Sequence, residues 1–156
     1  MKDSIVIQAN QLSKTYSGAV PVEALRGVDL TIERGEFTAV VGPSGSGKST
    51  LLNIVGGQDD PTSGSVIVDG TDIGKLRPSK LINFRRDNIG FVFQSYNLIP
   101  VLTAEENVEF IMLLQGLPKK ERRSRALALL KEVGLEEQVS KRPSKLSGGQ
   151  QQRVAV

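Results

Sequence analysis

The residues from 42 to 50 have the types and the spacing of a phosphate-binding loop. Gly42, Gly47, Lys48 and Ser49 fit the pattern G-x-x-x-x-G-K-[ST] without a mismatch, inside the stretch GPSGSGKST. Glycines let a backbone curl until successive N–H groups point at one anion, and the N-terminus of a following helix adds partial positive charge. Lys48 can reach the terminal phosphates as a mobile charge, and the Ser49 hydroxyl can take one place around Mg²⁺.

The pattern therefore predicts that the chain binds a nucleoside triphosphate with Mg²⁺. The residues expected to touch the nucleotide are Gly42, Pro43, Ser44, Gly45, Ser46, Gly47, Lys48, Ser49 and Thr50. The alternative is a glycine-rich surface turn with an exposed lysine, but the flanking sequence favours the phosphate loop. The apolar run Phe37–Val41 before it predicts a strand buried on both faces, and LLNIVGG after it predicts a helix that ends at Gly56 and Gly57. The loop alone leaves the class open among kinases, GTPases, helicases and transport ATPases.

A second glycine-rich stretch, LSGGQ, lies at residues 146–150. Ser147 and Gln150 fit the capping box S-x-x-Q, which predicts a helix N-terminus with bare N–H groups at Gly148 and Gly149. The stretch is thus a candidate second anion site, and the alternative is a plain capping box under a glycine turn.

The phosphate loop and LSGGQ together resemble the ATP-binding domain of ABC (ATP-binding cassette) proteins. The resemblance implies an α/β fold: a P-loop NTPase core with an antiparallel β-subdomain and an α-helical subdomain. It also implies that Ser147, Gly148, Gly149 and Gln150 close on the ATP held by a second subunit, so that a head-to-tail homodimer encloses two ATP molecules. The implied partners are transmembrane permease subunits, with the domain on the cytoplasmic face of the cell membrane and no nucleic acid bound.

The same resemblance implies roles for two further residues. Tyr16, in LSKTYSG, stands where the family places an aromatic ring that stacks on adenine, a contact worth ~1–3 kcal/mol. The alternative is an ordinary loop tyrosine. Gln94 matches the Q-loop glutamine near Mg²⁺ and the attacking water, which makes Gln94 and Lys48 the catalytic candidates and Ser49 and Gln94 the metal candidates. The stretch SYNLIPVLTAEENVEF looks most like the branch that serves bacterial lipoprotein release and macrolide or peptide export.

The resemblance covers only the first part of the family pattern. The Walker B aspartate, catalytic glutamate, D-loop and switch histidine should follow the LSGGQ helix, and the sequence contains no histidine. We therefore expect a C-terminally incomplete ATPase domain that binds ATP without efficient hydrolysis. Two alternatives are an ATP-dependent dimerisation module without turnover and a DNA-repair ABC ATPase. The latter carries long coiled-coil insertions, whereas 99 positions separate Lys48 from Ser147.

Composition bounds these interpretations. A chain of 156 residues with 38% hydrophobic and 24% charged residues suits one globular domain. The absence of cysteine excludes disulfides and thiolate metal sites, and a net charge of +3 is no argument for nucleic acid. No apolar run approaches the ~20 residues that cross a bilayer, and the start, MKDSIVIQAN, does not read as a signal peptide. The basic run KKERRSR predicts the solvated face of a helix whose other side carries Leu127 and Leu130.

The remaining elements follow from periodicity and turn signals. SIVIQAN predicts an edge strand, VDLTIERGEF a second strand that turns at Gly35, and NIGFVFQ a further strand. SVIVDG predicts a strand that ends in a hairpin turn at Asp69 and Gly70. An aspartate after an apolar strand is similar to Walker B, but this one precedes the LSGGQ helix, whereas the family's Walker B aspartate follows it. A capping box at Thr103 and Glu106 opens one helix, and Pro118 and Gly134 bracket another. The expected organisation is a partial ATP-binding domain over 1–156, with the core and antiparallel part in about 1–93 and the Q-loop, helical subdomain and signature in about 94–156.

Overall fold

The computed structural model describes residues 4–93 and 95–156, and the chain divides into two compact units, 1–85 and 86–156. The first unit contains an antiparallel sheet with a short helix packed on it and most of a second helix, and the second unit is helical. Among the helices of the described ranges, none has the length and apolar character needed to cross a membrane.

The sheet of the first unit has four strands in the order β2-β1-β3-β4. They are β1 (Ile5–Tyr16), β2 (Val22–Glu33), β3 (Ser63–Val68) and β4 (Thr71–Asp72). Every pair is antiparallel, and Ala9 of β1 stands opposite Leu30 on one side and Val66 on the other. The prediction that SIVIQAN forms an edge strand is therefore wrong. Its residues 5–10 lie in β1, which is an inner strand because its backbone hydrogen-bonds to both β2 and β3.

The core of this unit lies between one face of the sheet and helix α1 (Lys48–Val55). Ala9, Leu12 and Val66 come from the strands, and Leu51 and Ile54 come from the helix; all five are buried. Burying an aliphatic side chain of this size stabilises a fold by about 1.5–3 kcal/mol. The helix that carries the phosphate loop at its N-terminus is thus held firmly against the sheet, and it ends at Gly56 and Gly57 as predicted.

Two backbone features set the register of β3. An added Cβ on Gly64 would lie 2.4 Å from the carbonyl oxygen of Gln11, so the two strands approach closely only because residue 64 is glycine. Asp69 and Gly70 both have positive φ, 45° and 75°, and they connect β3 to β4 as a tight hairpin turn. Asp69 pairs with Arg34 at 2.5 Å, which agrees with its interpretation as a turn residue and not as a metal ligand.

Two predicted strands are absent from the described residues. Residues 37–41 are not assigned to a strand, and Phe37 and Val41 are 99% and 86% exposed. Residues 89–93 of NIGFVFQ are also outside any strand, while Asn88 is the last residue of helix α2 (Pro78–Asn88), which the sequence analysis missed. An apolar run becomes a strand only when a neighbouring strand takes its N–H and C=O groups, and none of the four described strands pairs with either run.

The second unit packs three helices around a small apolar core. They are α3 (Ala104–Leu114), α4 (Lys119–Glu132) and α5 (Gly148–Ala155). The buried residues are Ala104, Leu130, Leu135, Leu146 and Val154. The capping box at Thr103 is confirmed: its hydroxyl accepts from the N–H of Glu106, and the Glu106 carboxylate accepts from the N–H of Thr103.

Helix α4 differs in detail from its prediction. Pro118 lies just before the first helical residue instead of at it, and Gly134 follows the end with φ 68°. The buried stripe consists of Ala126 and Leu130, whereas Leu127 is 37% exposed, so the predicted inward position of Leu127 is wrong.

The basic run at the start of α4 is largely paired. Arg122 and Arg123 form 2.8 Å ion pairs with Glu109 and Glu105 of α3, and Arg125 pairs with Glu121 one turn earlier. These contacts support the interpretation of the run as a helix surface.

Candidate phosphate-binding site

The phosphate loop ends in the first turn of α1. The helix begins at Lys48, its N-cap residue is Gly47 with φ 88°, and neither a side-chain cap nor an acidic residue in the first turn occupies its N-terminus. The first N–H groups of a helix have no partner within the helix and carry partial positive charge. An uncapped N-terminus next to a glycine-rich loop is therefore suited to an anion.

Close packing against β2 fixes this loop. An added Cβ on Gly47 would lie 2.4 Å from the carbonyl oxygen of Ala24 and 3.0 Å from Cδ2 of Leu25. Only glycine lets the loop approach the strand this closely while holding a left-handed φ. The second glycine of the motif is thus explained by contact with the sheet as well as by the curl of the loop.

The ammonium group of Lys48 lies over the loop. Its Nζ donates to the carbonyl oxygens of Gly42 at 2.8 Å and Pro43 at 2.6 Å, and it lies 3.4 Å from Oγ of Ser46. A lysine ammonium has three N–H donors. Two strong bonds to carbonyls fix the charge above the loop, and the third, longer contact is the one most easily exchanged for a phosphate oxygen.

A groove of about 350 Å³ connects the loop with Tyr16. Its lining comes from three segments: Tyr16, residues 22–24 of β2, and residues 44–50 of the loop and α1. The structure thus brings the predicted stacking tyrosine and most of the predicted phosphate-binding residues to one groove. Gly42 and Pro43 are not among the lining residues, but their carbonyl oxygens accept from Lys48.

The ring of Tyr16 is held by two residues that the sequence analysis missed. Its hydroxyl donates to Oδ2 of Asp59 at 2.8 Å, and Nζ of Lys14 is 2.6 Å from Oδ1 of the same carboxylate. The Lys14 ammonium also lies 4.9 Å from the centroid of the Tyr16 ring. The hydrogen bond from Lys14 is the main reason that the pKa of Asp59 lies below its usual value. One signal was available in the sequence: Lys14 and Tyr16 are two residues apart on a strand and so share a face.

The second glycine-rich stretch forms the N-terminus of α5, in the helical unit. Its capping box is confirmed: Oγ of Ser147 accepts from the N–H of Gln150, and Oε1 of Gln150 accepts from the N–H of Ser147. Gly148 and Gly149 are the first two helical residues. An added Cβ on Gly148 would lie 3.6 Å from the Tyr96 hydroxyl, and one on Gly149 would lie 3.9 Å from Nη1 of Arg153. Tyr96 and Arg153 were not predicted as neighbours of this helix end.

The remaining predicted residue, Gln94, lies outside the described residues. Within the ranges 4–93 and 95–156, no three His, Cys, Asp or Glu side chains are grouped to hold a metal ion. The oxygen of the Ser49 hydroxyl is a ligand type that Mg²⁺ accepts, and Mg²⁺ in proteins commonly completes its shell with phosphate oxygens and water. The residues present therefore fit a metal ion that arrives with a triphosphate.

Comparisons with known proteins agree with this geometry. The family model described as "ABC transporter" matches residues 25–156. An uncharacterized ABC transporter ATP-binding protein of Thermotoga maritima is 54% identical over 97% of the chain, which spans 65% of that relative. The macrolide export ATP-binding/permease protein MacB of Brucella melitensis is 50% identical over 100% of the chain, which spans 24% of that relative.

Solved structures give the same result. The dimeric ATP-binding cassette MJ0796, in a post-hydrolysis state with ADP and Pi, superposes with a TM-score of 0.88 at 48% identity. The superposition covers 96% of this chain and 66% of the cassette. The chain thus corresponds to about two thirds of a cassette whose fold it shares.

Proposed function

This chain belongs to the ABC transporter family and is an ATP-binding domain of it, and we propose that it binds ATP with Mg²⁺ in the groove between Tyr16 and the phosphate loop. The observation that carries the proposal is the position of Lys48, whose ammonium is fixed over the loop at the uncapped N-terminus of α1. The triphosphate would lie over residues 42–50, where backbone N–H groups, Lys48 and the hydroxyls of Ser49 and Thr50 all offer hydrogen-bond donors.

The base and the metal have separate places in this arrangement. Tyr16 is 41% exposed and presents a ring surface on which adenine can stack. Ser49 would supply one oxygen ligand to Mg²⁺, and Gln94 a second. A bound Mg²⁺ neutralises phosphate charge. Lys48 and Gln94 are the residues that we propose act in hydrolysis.

The second glycine-rich stretch would bind an ATP held by another copy of the domain. Ser147, Gly148, Gly149 and Gln150 form a capped helix N-terminus with small residues at its first two positions, so a phosphate could approach the backbone closely. The dimeric structure of the cassette MJ0796 with ADP and Pi supports such a pairing. We propose a head-to-tail homodimer, in which residues of about 1–93 bind one nucleotide and residues of about 94–156 close on the other.

The whole protein would then hydrolyse ATP to drive transport through membrane permease partners. Support comes from relatives whose names describe macrolide and pyoverdine export ATP-binding/permease proteins. A domain with this role works at the cytoplasmic face of the cell membrane.

The test is ATP affinity after replacement of the fixed lysine. We expect Lys48→Ala to weaken ATP binding about 10- to 100-fold in calorimetric titration with Mg²⁺ present, because hydrogen bonds to a charged group contribute about 1.5–3 kcal/mol. The matched control is Lys80→Ala, which removes an exposed lysine of α2 and should leave the affinity unchanged. Undiminished affinity in Lys48→Ala would overturn the proposal.

A further inference from the structure

We propose that Asp59 and Lys14 are positioning residues of the nucleotide site, which fix the Tyr16 ring so that a purine base can stack on one face only. This inference rests on the proposed binding of ATP in the groove that Tyr16 and the phosphate loop share. Neither residue is among those that line the groove, and both contact Tyr16, so both would act through it.

Helix α1 connects the phosphate loop to the residue that holds the Tyr16 ring. Asp59 follows the end of α1, and its backbone N–H donates to the carbonyl oxygen of Asn53 in the helix at 3.3 Å. Its side chain accepts from the Tyr16 hydroxyl at 2.8 Å. The N-terminus of the same helix carries Lys48 and the phosphate loop. A single helix of eight residues therefore sets the separation between the phosphate-binding end and the stacking ring.

Hydrogen bonds to Asp59 fix the orientation of the Tyr16 ring. Asp59 uses both carboxylate oxygens, since Oδ1 accepts from Nζ of Lys14 at 2.6 Å and Oδ2 accepts from Tyr16. Lys14 has a second acceptor, the carbonyl oxygen of Asp60 at 2.6 Å. The Lys14 and Asp59 side chains are only 13% and 28% exposed, so water screens their ion pair less than it screens a surface pair. The hydroxyl of Tyr16 thus donates to a carboxylate that Lys14 also holds, instead of to solvent.

Lys14 leaves one face of the Tyr16 ring open to a base. The Lys14 ammonium lies 4.9 Å from the ring centroid, within the range of a cation–π contact, and so covers one face of Tyr16. A base can stack only on the opposite face. Because the ring is ordered before the base arrives, binding loses less side-chain freedom, an effect worth roughly 2- to 10-fold in affinity.

The experiment compares ATP with inorganic tripolyphosphate, which has the phosphates but no base. We expect Asp59→Asn to weaken ATP binding about 3- to 10-fold while the affinity for tripolyphosphate stays at the wild-type value. Tyr16→Phe keeps the ring and removes the hydroxyl, so it should reproduce the Asp59→Asn effect. The double variant should bind ATP no more weakly than the weaker single variant, since the amide that replaces the Asp59 carboxylate has one acceptor oxygen for two donors and both substitutions act on the same contact between Tyr16 and residue 59.

Two controls separate the possible outcomes. Asp69→Asn removes a carboxylate from the hairpin ion pair with Arg34 and should leave ATP affinity unchanged. Lys48→Ala should weaken both ligands, which tests the proposed ATP site by itself. Equal loss of ATP and tripolyphosphate affinity in Asp59→Asn, or no loss of either, overturns the positioning role even where Lys48→Ala behaves as expected. If Asp59→Asn does not fold, unchanged ATP affinity in Tyr16→Phe overturns it in the same way.

Discussion

Single residues of the phosphate loop make contacts that shape the loop and pack it against the sheet, in addition to their proposed contacts with ATP. Lys48 bonds to two carbonyl oxygens of its own loop, and Gly47 allows that loop to lie against the carbonyl oxygen of Ala24. The spacing G-x-x-x-x-G-K-[ST] predicted these residues as phosphate ligands but contained no information on Ala24. A contact between residues 23 positions apart in the chain depends on how the strand and the loop pack.

Gly47→Ala tests this packing. The new Cβ would lie 2.4 Å from the Ala24 carbonyl oxygen and the residue would keep a φ of 88°, so we expect both the clash and the backbone strain to destabilise the fold. The strain alone amounts to about 1–2 kcal/mol. The matched variant is Gly70→Ala, where φ is 75° and nothing lies within 4 Å of the added Cβ. Urea unfolding should show a clearly larger loss for Gly47→Ala; equal losses would mean that the close approach to Ala24 is unimportant.

Helix ends and turns were predictable from the sequence where the residues that form them are neighbours in the chain. The capping boxes of α3 and α5 and the Asp69–Gly70 hairpin turn depend on residues within three positions of each other, and the structure confirms all of them. Helix α2 was missed: none of its residues is fully buried, and Leu81 and Phe84 pack against the core while staying partly exposed. The inner position of β1 was also missed, because the sequence of a strand does not state how many neighbours it has.

The residues of the candidate site also include some that the sequence predicted and some that it did not. Residues 44–50 were predicted from the phosphate-loop motif and Tyr16 from the resemblance to the family, and all of them line one groove. Asp59 and Lys14 belong to no motif, and their role depends on a contact between Tyr16 and a loop 43 residues later in the chain. Such a contact exists only once β1 and α1 have packed together.

Thr103→Ala measures what a predicted cap contributes to its helix. The Thr103 hydroxyl satisfies the N–H of Glu106, so its removal should lower the free energy of unfolding by about 1 kcal/mol. Thr103→Ser restores the hydroxyl and should recover most of the loss. Thermal and urea unfolding of the three proteins give the comparison, and a Thr103→Ser variant as unstable as Thr103→Ala would show that the methyl group, not the cap, matters.

At the scale of the whole molecule, the exposed apolar run at residues 37–41 determines how we expect the protein to associate. Phe37 is 99% and Val41 86% exposed, and no strand within the described residues pairs with this run. Unpaired backbone next to exposed apolar side chains is a template for association with other chains. We therefore expect the protein to self-associate as its concentration rises, and we expect Phe37→Lys with Val41→Lys to suppress this by adding charge to the exposed run.

The matched control is Val20→Lys, at an apolar residue that is 78% exposed in a loop between β1 and β2. Light scattering against concentration is the measurement: equal scattering from the control and the double variant would place the associating surface elsewhere, whereas a fall confined to the double variant would identify the 37–41 run as the associating surface.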